Sequence, residues 1–238
     1  ILLDLGANVS CDAQNLVQFA VMGAAYASVS INVERPSVGL LNVGVEALKG
    51  NDIVQEAHKL LREMSLVDAD YIGFVEGDDI QKGNCDVIVT DGFTGNVALK
   101  TTEGLARLIQ EYIRRAFRNS IFGMLAYAIG FRRLQKLREQ LDPRQYNGAV
   151  FVGLNGISVK SHGGTDGIGF ANAIKVAANL CRQDFLDTIS ERLEVANAQI
   201  VETQGLKTPQ KAEGENTALP LEQTRGKIDH GGANANPS

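Results

Sequence analysis

Asp86-Val-Ile-Val-Thr-Asp-Gly-Phe-Thr-Gly-Asn-Val-Ala-Leu-Lys100 decides the fold. An apolar run of strand length, Asp86–Thr90, passes into a glycine-bearing segment, and a helical pattern predicted over 97–118 follows it. The same order recurs upstream. Ile1–Leu5 reads as a strand, Gly6-Ala-Asn-Val-Ser-Cys-Asp12 as a loop with Asp12 a candidate cap, and 13–29 as a helix rich in small side chains. Val38–Val43 is the next strand, followed by the Lys49-Gly-Asn51 turn and an amphipathic helix over Asp52–Met64. Tyr71–Val75 is the third, closing in Glu76-Gly-Asp78. Repeated strand, glycine-bearing loop and helix predict an α/β fold: a largely parallel sheet with flanking helices in three layers.

In such sheets ligands bind outside the carboxyl ends of the strands. Asp4 and Asn8, Asn42 and Glu46, Glu76, and the run Asp91–Lys100 all fall at such ends, which predicts one shared cleft. Within the run, Gly92 and Gly95 are read as turning tightly so that backbone amides face an anion, with Thr94 and Asn96 as short donors and Lys100 reaching a bound phosphate or thioester oxygen. The plainer reading gives the glycines only the turn and Asn96 only a cap.

Downstream, Ala149–Leu154 is read as another strand and Asn155–Lys160 as its continuation. Lys160-Ser-His-Gly-Gly-Thr-Asp166 then opens onto helices predicted over 168–181 and 183–202. His162, beside Lys160 and Gly163, is a candidate to orient phosphate or exchange a proton with a leaving thiol; its alternative is an ordinary hydrogen-bonded histidine. G-x-x-x-x-G-K-[ST] and G-x-G-x-x-G are both absent from the sequence, so ATP and NAD have no motif support. No carboxylate spacing points to a metal, and G-x-S-x-G is missing. Cys11, Cys85 and Cys181 are odd in number and far apart, as expected of reduced thiols.

The net charge of −5 argues against general nucleic-acid binding, but it hides a local field. Residues 107–141 carry eight basic and two acidic groups. Within them 119–130 is uncharged, flanked by Arg114, Arg115 and Arg118 on one side and by Arg132, Arg133, Lys136 and Arg138 on the other. Three uses fit: two helices joined by an exposed apolar tip (Ile121, Phe122, Met124, Leu125) that enters an anionic lipid surface, a dock for an acidic carrier protein, or a dimer interface. From Gln204 to Ser238 periodicity stops and the composition predicts a disordered tail. Ile1-Leu-Leu-Asp4 reads as a strand already under way, so a preceding segment is expected.

These blocks in this order resemble the bacterial family of phosphate:acyl-(acyl carrier protein) acyltransferases of phospholipid synthesis. The resemblance runs from Ile1 to about Leu193 through Leu3-Asp-Leu-Gly-Ala-Asn8, Gln18–Gly23, Gly39–Gly44, Lys49–Asn51, Phe74–Gly77, Asp91–Lys100 and Lys160–Gly163. It implies a fold similar to phosphate acetyltransferase and isocitrate dehydrogenase, and a cytoplasmic homodimer on the inner face of the cell membrane. It also implies transfer of a fatty acyl group from acyl carrier protein to inorganic phosphate without a cofactor, with the product passed to a membrane acyltransferase. Residues 119–130 match the position of that family's membrane-contacting tip. The family's N-terminal portion has no counterpart here, and the tail lies outside its pattern. A coenzyme A-dependent relative and a non-catalytic membrane-binding scaffold are the alternative readings.

Overall fold

The computed structural model describes residues 1–118, 121–140 and 142–203. The tail expectation for 204–238 lies outside the described residues. Four parallel strands, β1 (Leu2–Leu3), β2 (Ser37–Leu41), β3 (Asp70–Val75) and β4 (Val87–Val89), form a sheet in the order β1-β4-β2-β3. Helices cover both faces, giving the three-layer α/β architecture.

α1 (Ala13–Ser30) starts at Asp12, whose side chain accepts the Asn15 amide while Asn15 reciprocates. Its small residues let it sit directly on the sheet: a Cβ at Gly23 would come within 2.5 Å of Val87. α2 (Asp52–Glu63), capped by Asn51, buries Ala57, Leu60 and Leu61 on the same face. There they join Val38, Leu40, Val87 and Val89 in the main core. The other face carries a smaller cluster, Val75, Cys85 and Ile88, with Ile80 from the short α3 (Asp79–Lys82) against it.

Strands β1 and β2 thus send their connections to one face and β3 sends its own to the other. The winding reverses around β4, and a crevice opens at the carboxyl ends of β4, β2 and β3.

Beyond β4 two expectations are corrected. α4 runs from Gly92 to Arg118, so the helix begins five residues before its predicted start. The uncharged stretch from Ile121 onward is helical, the start of α5 (Ile121–Gln140), while Asn119 and Ser120 lie outside the described residues. Residues 149–154 do not extend the parallel sheet. β5 (Ala149–Phe151) and β6 (Ser158–Lys160) pair antiparallel in a separate two-stranded sheet. α6 (Gly167–Arg182) and α7 (Phe185–Thr203) follow. α7 packs on α1, with Phe185 edge-on to Tyr26 at 5.8 Å between ring centroids.

Candidate functional site

Asp91 caps α4, its carboxylate accepting the Thr94 amide (2.9 Å) and hydroxyl (2.7 Å). Gly92 and Gly95 lie inside the helix and serve close approach, not a turn. A Cβ at Gly95 would stand 1.9 Å from the Asp4 carbonyl oxygen, and one at Gly92 2.6 Å from that of Asn8. The expected anion-facing amides are already engaged: Gly92 donates to Asn8 O at 2.8 Å, Gly95 to Asp91 O at 3.0 Å, and Thr94 to the cap.

The loop after β1 is built around Asp4, which is buried. Its carboxylate accepts the amides of Gly6, Ala7 and Asn8 at 2.7–2.9 Å and the Asn8 side-chain amide at 2.9 Å. Burial pushes the carboxyl up, but the hydrogen bonds from Ala7, Asn8 and Gly6 outweigh it and hold the group below the usual carboxylate value. Asp4 therefore fixes the loop in place of the substrate contact expected of it. Asn8 is left exposed, and Gly6 lies against Asn96.

At 100° per residue, the first turns of α4 divide the expected residues between two roughly opposite faces. Asn96, Lys100, Glu103 and Arg107 share one. Lys100 Nζ donates to Glu103 Oε2 at 3.0 Å, and Arg107 reaches the same oxygen at 3.3 Å. Lys100, with Arg107 and His162 adding to it, holds the Glu103 carboxyl below its ordinary value. Glu103 was missed in the sequence; its position three residues after Lys100 was the available signal.

His162 Nδ1 accepts the Gly164 amide at 3.1 Å, and an amide can only donate, so the neutral ring carries its hydrogen on Nε2. Lys160 and Gly163 are exposed in the same strand-to-helix connection.

Thr94, Val97 and Thr101 face the other way, into a cleft of about 480 Å³ shared with Asn42, Gly77 and Asp91. Two supporting candidates stay outside both groups as lining residues. Glu46 is exposed in the β2–α2 connection, its carbonyl accepting Lys49, and Glu76 uses its amide to start α3. One shared cleft was expected from the sequence, whereas the helical twist sends the candidate residues of α4 to two different faces. Among the described residues no group of three or more His, Cys, Asp or Glu converges as metal ligands do.

Ile121, Phe122, Met124 and Leu125 in the first turns of α5 are 79%, 85%, 55% and 59% exposed. Phe117 meets Tyr127 edge-on at 5.8 Å, joining the end of α4 to α5. Arg114, Arg118, Arg132 and Arg133 are exposed, Arg115 pairs with Glu111, and the side chain of Lys136 lies outside the described residues. Among the described residues no helix is long and apolar enough to cross a membrane.

A family model described as fatty acid synthesis protein matches residues 1–188. The chain belongs to the fatty acid synthesis protein family. Within the family's curated members it is similar to the phosphate acyltransferase of Rhodospirillum rubrum, 50% identical over 201 residues, covering 84% of this chain and 57% of that protein. The phosphate acyltransferase of Parvibaculum lavamentivorans is 53% identical over 194 residues, 82% of this chain and 54% of its own length. That of Beijerinckia indica subsp. indica is 46% identical over 236 residues, 94% of this chain and 61% of its own. The chain spans about half the length of the curated relatives it matches.

Proposed function

We propose that this chain carries the phosphate-acyltransferase site of its family and moves a fatty acyl group from acyl carrier protein to inorganic phosphate. The observation that carries the reading is the α4 face that presents Asn96 and Lys100 next to the loop after β1, in a family whose similar members bear the name phosphate acyltransferase. A phosphate oxygen attacks the thioester carbonyl carbon, a C–O bond forms and the C–S bond breaks. The proton lost by hydrogen phosphate ends on the departing thiolate. Phosphate is itself the nucleophile, so positioning and charge compensation are the chain's contribution. Lys100 holds the phosphate against the carbonyl. The amide groups of Asn8 and Asn96 stabilise the developing oxyanion, and the Nε2–H of His162 hydrogen-bonds the departing sulfur as that sulfur takes up the proton from hydrogen phosphate. Side chains, Lys160 included, supply the phosphate contacts.

The arginines of α4 and α5 take the acidic carrier or anionic headgroups, and Ile121, Phe122, Met124 and Leu125 enter the lipid. On this reading the protein works as a homodimer at the cytoplasmic face of the membrane and passes acyl phosphate to a membrane acyltransferase. The test is phosphate-dependent release of free carrier thiol from long-chain acyl carrier protein, with the coenzyme A thioester in parallel. Lys100→Ala and His162→Ala are expected to lower turnover by about 100-fold each with unchanged unfolding midpoints. Thiol release that ignores phosphate, or full turnover in both variants, refutes the reading. Binding to anionic vesicles with no turnover would favour the scaffold alternative.

A further inference from the structure

The segment Asp142–Asn147, which includes a 3-10 turn (Pro143–Tyr146), follows α5 and contains none of the residues singled out in the sequence. Asn147 in it is buried, and all of its side-chain polar atoms are bonded. Its Nδ2 donates to Ser161 Oγ and to the Gly169 carbonyl, both at 2.8 Å, and its Oδ1 accepts the His162 amide at 2.9 Å. Gly148, at φ 126°, brings the next residue against α6, where a Cβ would stand 3.1 Å from Ala173 Cα.

Three residues earlier, Arg144 forks onto Asp142 at 2.6–2.9 Å and reaches Asp166 Oδ2 at 2.8 Å. Asp166 in turn caps α6 through the Ile168 and Gly169 amides. The Arg144 carbonyl is itself held by Asn172 at 2.8 Å. One short segment therefore grips both ends of the loop Ser161–Asp166. The middle of that loop has little packing of its own: a Cβ at Gly163 would meet nothing within 4 Å. His162, exposed on it, owes its place to these end fixings.

We infer that Asn147 is a positioning residue for His162, and that Asn147 and Arg144 form a clasp that sets where the imidazole stands. The inference rests on the proposed acyl transfer only for its kinetic consequence; the clasp itself is a statement about the loop. Buried, fully bonded polar groups of this kind fix one arrangement, and a displacement of about 1 Å at a reacting group costs on the order of 100-fold in rate.

The full chain is tested as wild type, Asn147→Ala, Arg144→Gln, His162→Ala and the Asn147→Ala/His162→Ala double variant. Amide hydrogen exchange in 161–166 is expected to rise about tenfold or more in Asn147→Ala and Arg144→Gln, with exchange in α1 unchanged. Thiol release should fall about tenfold in kcat while KM for phosphate stays within about twofold, because Lys100 is untouched. On the His162→Ala background Asn147→Ala should cost nothing more, since it acts through a side chain no longer there.

Unchanged exchange in both clasp variants overturns the inference. So does an equal loss of kcat on the His162→Ala background, or an effect confined to KM. If Asn147→Ala does not fold, Arg144→Gln and its double variant with His162→Ala, built on a half-exposed side chain, carry the same readouts. If the wild type releases no thiol, acyl transfer falls and the exchange result still decides the clasp.

Discussion

Gly95→Ala tests the junction that organises the whole site. In an ordinary helix the change is favourable by about 1 kcal/mol, because alanine loses less backbone entropy than glycine. Here the new methyl would stand 1.9 Å from the Asp4 carbonyl oxygen, so α4 and the exit of β1 must separate by about 1.5 Å to reach ordinary contact. The obstacle is backbone, not the end of a flexible side chain. Overpacking of this kind costs about 1–3 kcal/mol, and the upper end applies because the shift also strains the Gly92 amide's bond to Asn8. The expected net loss is about 2 kcal/mol.

Gly104→Ala, nine residues further along α4, is the control. A Cβ there meets nothing within 4 Å, so only the helix term operates and a gain of about 1 kcal/mol is expected. The assay is urea unfolding of both variants against wild type. With an m-value of about 2 kcal/mol/M, the Gly95→Ala midpoint falls by about 1 M and the Gly104→Ala midpoint rises by about half as much, at unchanged m. A Gly95→Ala midpoint equal to or above that of wild type would show that α4 does not sit hard against the exit of β1, and the placement of Asn96 against Gly6 would fall with it.

Three further outcomes follow from named contacts. The folded Asp4 carboxyl titrates below its ordinary 3.8, so its contribution is complete above about pH 4 and is lost as pH falls through the lower folded value; Asp4→Asn should flatten that acid limb of the unfolding midpoint and cost about 1–3 kcal/mol at neutral pH, where an amide faces N–H donors. His58 packs on Phe74 with centroids 4.1 Å apart and bonds Tyr71 at 2.7 Å, and burial, helped by Arg62, holds its imidazole below 6.5; stability should therefore drop as pH falls from about 6.5 through the lower folded value, and His58→Gln should remove that drop in urea midpoints taken between pH 7 and 5. Asp12→Ala removes the acceptor of the Asn15 amide at 2.8 Å and should cost about 1 kcal/mol in the same assay, with no change in turnover.

The sequence by itself determined the alternation of strand and helix, the cap at Asp12 and the helix that begins at Asp52. These are local properties: a cap, a period and a turn residue act over a few positions, so they are visible along the chain. Tertiary structure decided what depends on distance in space. Gly92 and Gly95 look like turn residues in a string of letters, yet they are helical and small because β1 passes beneath them. Thr94 and Lys100 are near neighbours in sequence, but the helical twist turns them to opposite faces, and only Thr94 lines the cleft with Asn42 and Gly77. Asp4 looked available to a ligand until burial and four N–H donors occupied it. The strand expected over 149–154 went to a separate hairpin because pairing is chosen by the partner, not by apolar content alone. Asn147 and Glu103 carried no motif. Their importance lies in which loop or cation each one meets, and only the folded chain brings those together.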